Sequence, residues 1–471
     1  MEIILKGHDA ENAVRQIMQL FFAVSDDARV ISSLAEKGGI FLAEAKIEFE
    51  GRFASGEAQS ESADRLSVTN AIKKAVFYAG KKLSDMPTPW GISTGIRPAK
   101  TARALLDRGL SEDEIVKSLT GDYLIEEKKA RLTLRVAKRE QEIIKNMLEN
   151  SFDLYIGIPF CPSRCSYCSF ISRAADHNNK FIEPYVDALL KEIEYAAKIT
   201  AALGQRPETI YFGGGTPTAI APHLLERIIE SVKENFDLSA LREFTVEAGR
   251  PDTFSKEMMD MLFSKGVSRI SINPQTMHQK TLDKIGRRHS VEDVSKAFYL
   301  AREAGIKSIN ADLIAGLPDE DADMVSYSVE KLLELLPDAV TVHTLYLKRA
   351  SDMAEDFQRL RFAKNTGSQM DRAADLLEKA HFEPYYMYKQ RNTLGNLENV
   401  SFAKRGHESL YNIYIMEEIA PIMALGAGGS TKMIKNGDIT RVFNPKEAAD
   451  YVLRIDEVLQ RKDSYREYYE K

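Results

Sequence analysis

The sequence predicts an α/β fold: a partial (β/α)6 barrel, preceded by an α+β domain and followed by a C-terminal domain. Three observations carry this prediction. From residue 153, short apolar strands alternate with amphipathic helices; before that point strands and helices come in mixed order; and the unusual polar and sulfur-bearing residues fall just after the strands.

Residues 1–148 form the first predicted domain. MEIILKG reads as a short strand, Asp9 as an N-cap, and Ala13, Ile17, Leu20 and Phe21 then recur at helical spacing. After the Gly38-Gly39 turn, FLAEAKIEFEG alternates apolar and polar residues as a half-buried strand does, and a helix follows around SVTNAIKKAVFYAGKKL. The segment PTPWGISTGIRPAKTARALLDRG holds the only tryptophan, Trp90, beside Arg97 and Lys100. It reads as a hydrophobic anchor ahead of a helix N-terminus, with ligand binding as the alternative. Residues 124–149 predict a highly charged helix with a solvated face, leading into the next domain.

The second predicted domain, 149–376, has six candidate strands: DLYIGI at 153, ETIYFG at 208, EFTVEA at 243, SRISIN at 268, SINADLI at 308 and AVTVHTL at 339. Each leads to a helical stretch, as parallel strands with right-handed crossovers require. In such a barrel the ligand groups sit at the C-terminal strand ends. The first strand runs into a loop holding all three cysteines, Cys161, Cys165 and Cys168. Thiolates are the soft ligands of iron–sulfur clusters, so three on one tight loop can hold three irons of a cubane cluster and leave the fourth open. Two other readings compete. A structural zinc takes four ligands in two pairs, and no second pair lies near, His177 being the nearest histidine. A redox pair at Cys165 and Cys168 leaves Cys161 unexplained.

After the second strand, the glycine run from Gly213 to Gly215, with Thr216, lets backbone N–H groups approach a polar ligand closely. The third strand ends in Glu247, the fourth runs into Gln275, IGRRH presents Arg287 and Arg288, and the fifth ends in Asp312. Singly these read as surface or capping groups. Together, at successive strand ends, they offer a cation and several acceptors to one ligand. In the third predicted domain, 377–471, the run from Tyr385 through Tyr386, Met387, Tyr388, Lys389 and Gln390 to Arg391 suits a flat tetrapyrrole with carboxylate arms, or equally a strand and a buried helix.

Composition narrows the function classes. A chain of 471 residues with 44% apolar and 28% charged residues is that of a soluble globular protein. No apolar run approaches the ~20 residues of a membrane helix, and the first residues, MEIILKGHDAENAV, lack the pattern of a signal peptide. The expectation is a cytoplasmic protein without membrane insertion, and three cysteines committed to one site fit a reducing compartment. A net charge of −6 argues against a nucleic-acid partner.

Tyr155, then Ile158, Pro159 and Phe160, the C-x3-C-x2-C spacing and Tyr167 together resemble the loop of the radical S-adenosylmethionine (SAM) superfamily, in its coproporphyrinogen oxidase-like branch. That loop reads roughly Y-x-H-I-P-F-C-x3-C-x-Y-C, and Gly157 stands here in place of its His. The later LGAGGST resembles the family's L-G-x-G-A-x-S element, so the resemblance covers about residues 150–440. Residues 1–148 resemble the extra N-terminal domain of the coproporphyrinogen dehydrogenase subgroup.

The resemblance implies a 4Fe-4S cluster on Cys161, Cys165 and Cys168, with SAM at the open iron. It implies that Tyr155, Gly213, Gly214, Gly215, Thr216, Glu247, Gln275, Arg287 and Asp312 bind SAM, and it assigns no catalytic residue. An electron donor such as flavodoxin or ferredoxin would drive SAM cleavage to a 5′-deoxyadenosyl radical. The implied reaction converts coproporphyrinogen III to protoporphyrinogen IX by oxidative decarboxylation of two propionates. Phe170 stands where the well-understood oxidases carry a further cysteine. It leaves open a heme-binding chaperone or a heme-degrading radical SAM methyltransferase on the same scaffold.

Overall fold

The computed structural model describes residues 1–23, 26–168, 173–175, 180–346, 365–390 and 393–471. Phe170, His177 and Arg391 lie outside the described residues. Two compact units emerge: Met1–Lys138 together with Met387–Asn399 and a short piece ending at Gly367, and Arg139 onward with Ser368–Tyr386 and Val400–Lys471.

In the first unit β1 (Glu2–Lys6), β2 (Ala28–Lys37), β3 (Ile40–Phe49) and β4 (Arg52–Ser60) form a sheet in that order, parallel between β1 and β2 and antiparallel thereafter. Strand alternation turns Val30, Ala43, Ala45 and Ile47 to one face. There they meet Val14, Ile17 and Met18 of α1 (Glu11–Phe21) and Ala71, Ala75 and Val76 of α2 (Arg65–Leu83) in one core. Asp9 is not the expected cap of α1: the cap position is Ala10, whose amide bonds the His8 ring at 3.2 Å. Asp64 does cap α2, accepting from the Leu66 and Ser67 amides at 3.0 Å each.

The Trp90 segment leads into α3 (Pro98–Asp107), with proline at the first helical position, and α4 (Glu112–Asp122). The charged helix α5 (Glu127–Ile144) is shorter than the expected 124–149. Leu124 adopts a left-handed φ of 57° and the Glu126 amide bonds Pro89 O, so the chain turns before the helix starts. Trp90 is wholly buried, and its indole N–H donates to Glu398 Oε2 at 2.7 Å. Lys129 Nζ donates to the other oxygen of the same carboxylate at 2.6 Å. Lys389 Nζ sits 4.9 Å over the Trp90 ring and donates to Ser93 O, and burial pushes its pKa down to about 7.

In the second unit all six expected strands are present: β5 (Ser151–Ile158), then, beyond the two-residue pairing of β6 (Phe160–Cys161) with β7 (Arg173–Ala174), β8 (Arg206–Gly214), β9 (Glu243–Val246), β10 (Arg269–Gln275), β11 (Ser308–Ala315) and β12 (Ala339–Thr344). They lie side by side in chain order, all parallel. The crossovers include α6 (Ile182–Ala202), α7 (Pro222–Asn235), α8 (Lys256–Ser264), α9 (Gln279–Lys284), α10 (Val291–Ala304) and α11 (Ala322–Glu334).

The sheet is extended past β12 by β13 (Glu383–Lys389) and β14 (Glu398–Ala403), with β14 next to β12 and antiparallel to it. Past β5 it is extended by β15 (Ile422–Leu425), parallel, then by β16 (Ser430–Lys435) and β17 (Asp438–Phe443), antiparallel. Among the described residues the sheet is open, with β13 and β17 at its edges. The tyrosine-rich run is therefore a strand, with Tyr385 and Met387 wholly buried. Among the described residues no helix is long and apolar enough to cross a membrane.

Candidate functional site

Residues 153, 155 and 157 of β5 share one face, with 209, 211 and 213 of β8 beside them. Tyr155 and Tyr211 stack there on Tyr411, which the helix Leu410–Glu417 carries against them, with ring centroids 6.3 and 4.3 Å from it. Next to this aromatic layer, the Tyr211 hydroxyl donates to Glu247 Oε1 at 2.5 Å, just beyond β9. Burial pushes the Glu247 carboxyl up to about 7, Asp312 adding to the effect, and Tyr211 and His343 offset only part of it. Burial also works against ionised Asp312, but His343 and Asn310 outweigh it and hold this carboxyl below its ordinary range. Asn310 Nδ2 donates to it at 2.8 Å, and His343 Nε2 stands 3.5 Å away.

The cysteine loop is fastened on both sides. The Gly215 amide bonds Ile158 O at 2.8 Å and the Thr216 amide bonds Phe160 O at 2.7 Å, so the loop leaves β5 bracketed by the glycine run. A Cβ on Gly215 would lie 2.5 Å from Phe160 O, and Gly214 has φ +108°; side chains are excluded at both positions. On the far side the Ser166 amide bonds Ile285 O at 3.1 Å. Cys161 Sγ lies 3.6 Å from Thr216 Oγ1, and the Cys168 amide bonds Cys165 O. All three cysteines are thiols rather than disulfide partners.

Arg287 is buried while Arg288 is exposed. It donates through Nη1 to Gly249 O and Asn273 O, and through Nη2 to Tyr167 Oη at 3.2 Å. It therefore stands with the cysteine loop, whereas Tyr155, Gly213, Glu247 and Asp312 gather around the tyrosine stack. Gln275 ends β10 in the left-handed region, φ +70°. Pro274, just before it, has no N–H for the ladder, and the register slips between Ile272 and Gln275. A backbone conformation of this kind persists where the surroundings enforce it, often at ligand sites.

These residues fit the expected cofactors. Arg287 Nε and Asn273 Oδ1 are buried without a hydrogen-bond partner, and where the glycine run brackets the cysteine loop Gly214 and Gly215 admit no side chain. Among the described residues no three His, Cys, Asp or Glu side chains converge on the position of a single metal ion. Thiols spread along one loop suit separate irons of a cluster instead.

Sequence reasoning missed Tyr211, Asn273, Arg250 and His289. Tyr211 carries a usable signal, two residues before Gly213 on the same strand face. Gly157 also has a structural reason: its carbonyl accepts from Tyr185 Oη at 2.6 Å, and a Cβ there would lie 3.0 Å from Ala427 O. The LGAGGST turn after β15 brings the Leu425 and Ala427 carbonyls close to this position.

Residues 155–332 match the model of the radical SAM superfamily. The chain is 38% identical over 84% of its length to the oxygen-independent coproporphyrinogen-III oxidase-like protein HemZ of Bacillus subtilis, covering 81% of that protein. It is 33% identical over 68% of its length to the heme chaperone HemW of Lactococcus lactis, again covering 81% of it. Among solved structures, coproporphyrinogen III oxidase HemN of Escherichia coli, described as a radical SAM enzyme, aligns over 69% of this chain and 73% of its own, with a TM-score of 0.54 and 22% identity. The last comparison speaks to the fold alone, and it agrees with the α/β architecture above.

Proposed function

Because this chain belongs to the radical SAM superfamily, in its oxygen-independent coproporphyrinogen III oxidase-like family, we propose that it oxidatively decarboxylates two propionates of coproporphyrinogen III to give protoporphyrinogen IX. The observation that carries the reading is the cysteine loop clasped between the glycine run and the buried, half-partnered Arg287. A 4Fe-4S cluster on Cys161, Cys165 and Cys168, with SAM beside it and a one-electron donor such as flavodoxin or ferredoxin, supplies hydrogen-atom abstraction from an unactivated carbon.

The chain's own residues hold and orient. Arg287 Nε offers a donor to a carboxylate, while the Gly215 and Thr216 amides bond the Ile158 and Phe160 carbonyls and so fasten the cysteine loop. Gln275, Glu247 and Asp312 offer acceptors to ammonium and hydroxyl groups. The stack of Tyr155, Tyr211 and Tyr411 forms a water-excluding wall of the site.

Anaerobic incubation of the reconstituted protein with SAM, a reductant and coproporphyrinogen III is expected to yield protoporphyrinogen IX and 5′-deoxyadenosine. SAM cleavage without porphyrin product would overturn the reading. The similarity to heme chaperones favours a second one, heme binding on the same scaffold. Stoichiometric heme binding that survives replacement of all three cysteines would select it.

Glu247 makes the site pH-dependent. With its pKa raised to about 7, the carboxyl is mostly neutral at pH 6 and mostly ionised at pH 8. An ionised acceptor is the form that binds SAM, so affinity should rise about tenfold between those pH values. Calorimetric titration of SAM across this range checks it, and Glu247→Gln should flatten the slope. A slope retained in that variant would assign the titration to another group.

A further inference from the structure

Between Glu247 and the next helix the chain runs Ala248-Gly249-Arg250-Pro251-Asp252, and Arg250 turns back under the cysteine loop. Its guanidinium is 3% exposed. One edge is clamped: Nε and Nη2 donate to Asp252 Oδ1 and Oδ2 at 2.9 Å each, a bidentate pair that fixes the plane of the fork. The other edge faces the loop. Nη2 donates to Ser163 Oγ at 3.1 Å, and Nη1 donates to Ser163 O at 3.3 Å and to Cys165 Sγ at 3.7 Å.

Asp252 offsets one positive charge here, but Arg287 brings a second. His289, wholly buried with both ring nitrogens unpartnered, is kept neutral by burial and by Arg287, which push it down to about 4. The two charged side chains seen to bond the loop from outside, Arg250 and Arg287, are both cationic. A reduction step adds a negative charge to a cluster, and N–H···S bonds together with nearby positive charge stabilise the reduced form.

We propose that Arg250 is a positioning residue that fixes the Ser163–Cys165 turn and raises the reduction potential of the cluster bound there. Arg250 thus eases entry of the electron that starts the chemistry. The inference rests on ligation by Cys161, Cys165 and Cys168, and concerns a residue that need not touch substrate or SAM.

Redox titration of the reconstituted holoprotein, followed by visible absorbance and electron paramagnetic resonance, tests it without a turnover assay. Arg250→Gln is expected to keep wild-type iron content while its reduced-to-oxidised ratio at a fixed poise falls about tenfold, about 59 mV for a one-electron couple. Arg250→Lys keeps the charge but not the fork, and should fall by less in the same direction. Full iron with an unchanged potential in Arg250→Gln would overturn the proposal. Should that variant not fold or take up iron, Arg250→Lys decides alone: a lowered potential sustains the proposal and a wild-type potential overturns it. Failure of the cysteine ligation is distinguishable, since iron would then persist in a cysteine variant.

Discussion

Cys165→Ala is expected to abolish iron uptake, the brown chromophore and SAM cleavage, each to the detection limit. Three thiolates on one loop are the whole proposed protein ligand set, so losing one leaves two irons without a protein ligand rather than one. Cys165 is the most buried of the three, and it is the one that Arg250 reaches. The sheet does not depend on it: the loop's backbone bonds to Gly215, Thr216 and Ile285 do not involve its side chain. The metal-free variant should therefore melt with metal-free wild type, so that loss of cluster is separable from loss of fold. Iron analysis, absorbance and 5′-deoxyadenosine quantification on one reconstituted sample make the test, and a full complement of iron would contradict the ligand assignment.

Lys129→Met should produce the largest loss of stability in the first unit. Lys129 and Glu398 form an ion pair whose side chains are 7% and 1% exposed, and the Trp90 indole takes the second carboxylate oxygen. Removing one partner of a buried pair strands the other charge, at a cost of roughly 3–5 kcal/mol. For a unit of this size that lowers the melting transition by roughly 6–20 °C. The double variant Lys129→Met/Glu398→Leu should recover much of the loss, because the stranded charge is gone. It leaves the indole N–H without its acceptor, a residual of about 1–3 kcal/mol. Calorimetry of the three proteins checks the series. A loss below about 1 kcal/mol in the single variant would show that Lys389, already beside Glu398, takes over as counterion.

Much of the second unit was legible in the chain because its signals are local. Six apolar runs of strand length, each followed by a helical period, mark parallel strands wherever the helices end up. Of the polar residues expected at strand ends, Glu247 and Gln275 lie at the ends of β9 and β10, the edge the fold rule names, whereas Asp312 sits inside β11, which runs on to Ala315. What escaped depends on distance in sequence. Arg250 acquires meaning from Ser163 and Cys165, 87 and 85 residues upstream, and looks like any loop arginine beside its own neighbours. Tyr411 reads as an ordinary helical core residue until Tyr155 and Tyr211 are placed around it. Asp9 failed as a cap for a local reason: its backbone carbonyl, not its side chain, accepts from the Glu11 amide at 2.8 Å. The short stretch Met387–Asn399 gives no sign from composition that it belongs with residues 1–138.

That return of the chain bears on the order of synthesis. Lys129 emerges from the ribosome 269 residues before the carboxylate that neutralises it. At 5–20 residues per second the wait is roughly 15–50 s. Throughout that interval the nascent first unit holds a tryptophan and a lysine whose shared partner has not yet been translated, so it cannot complete its buried network as an independent amino-terminal domain would.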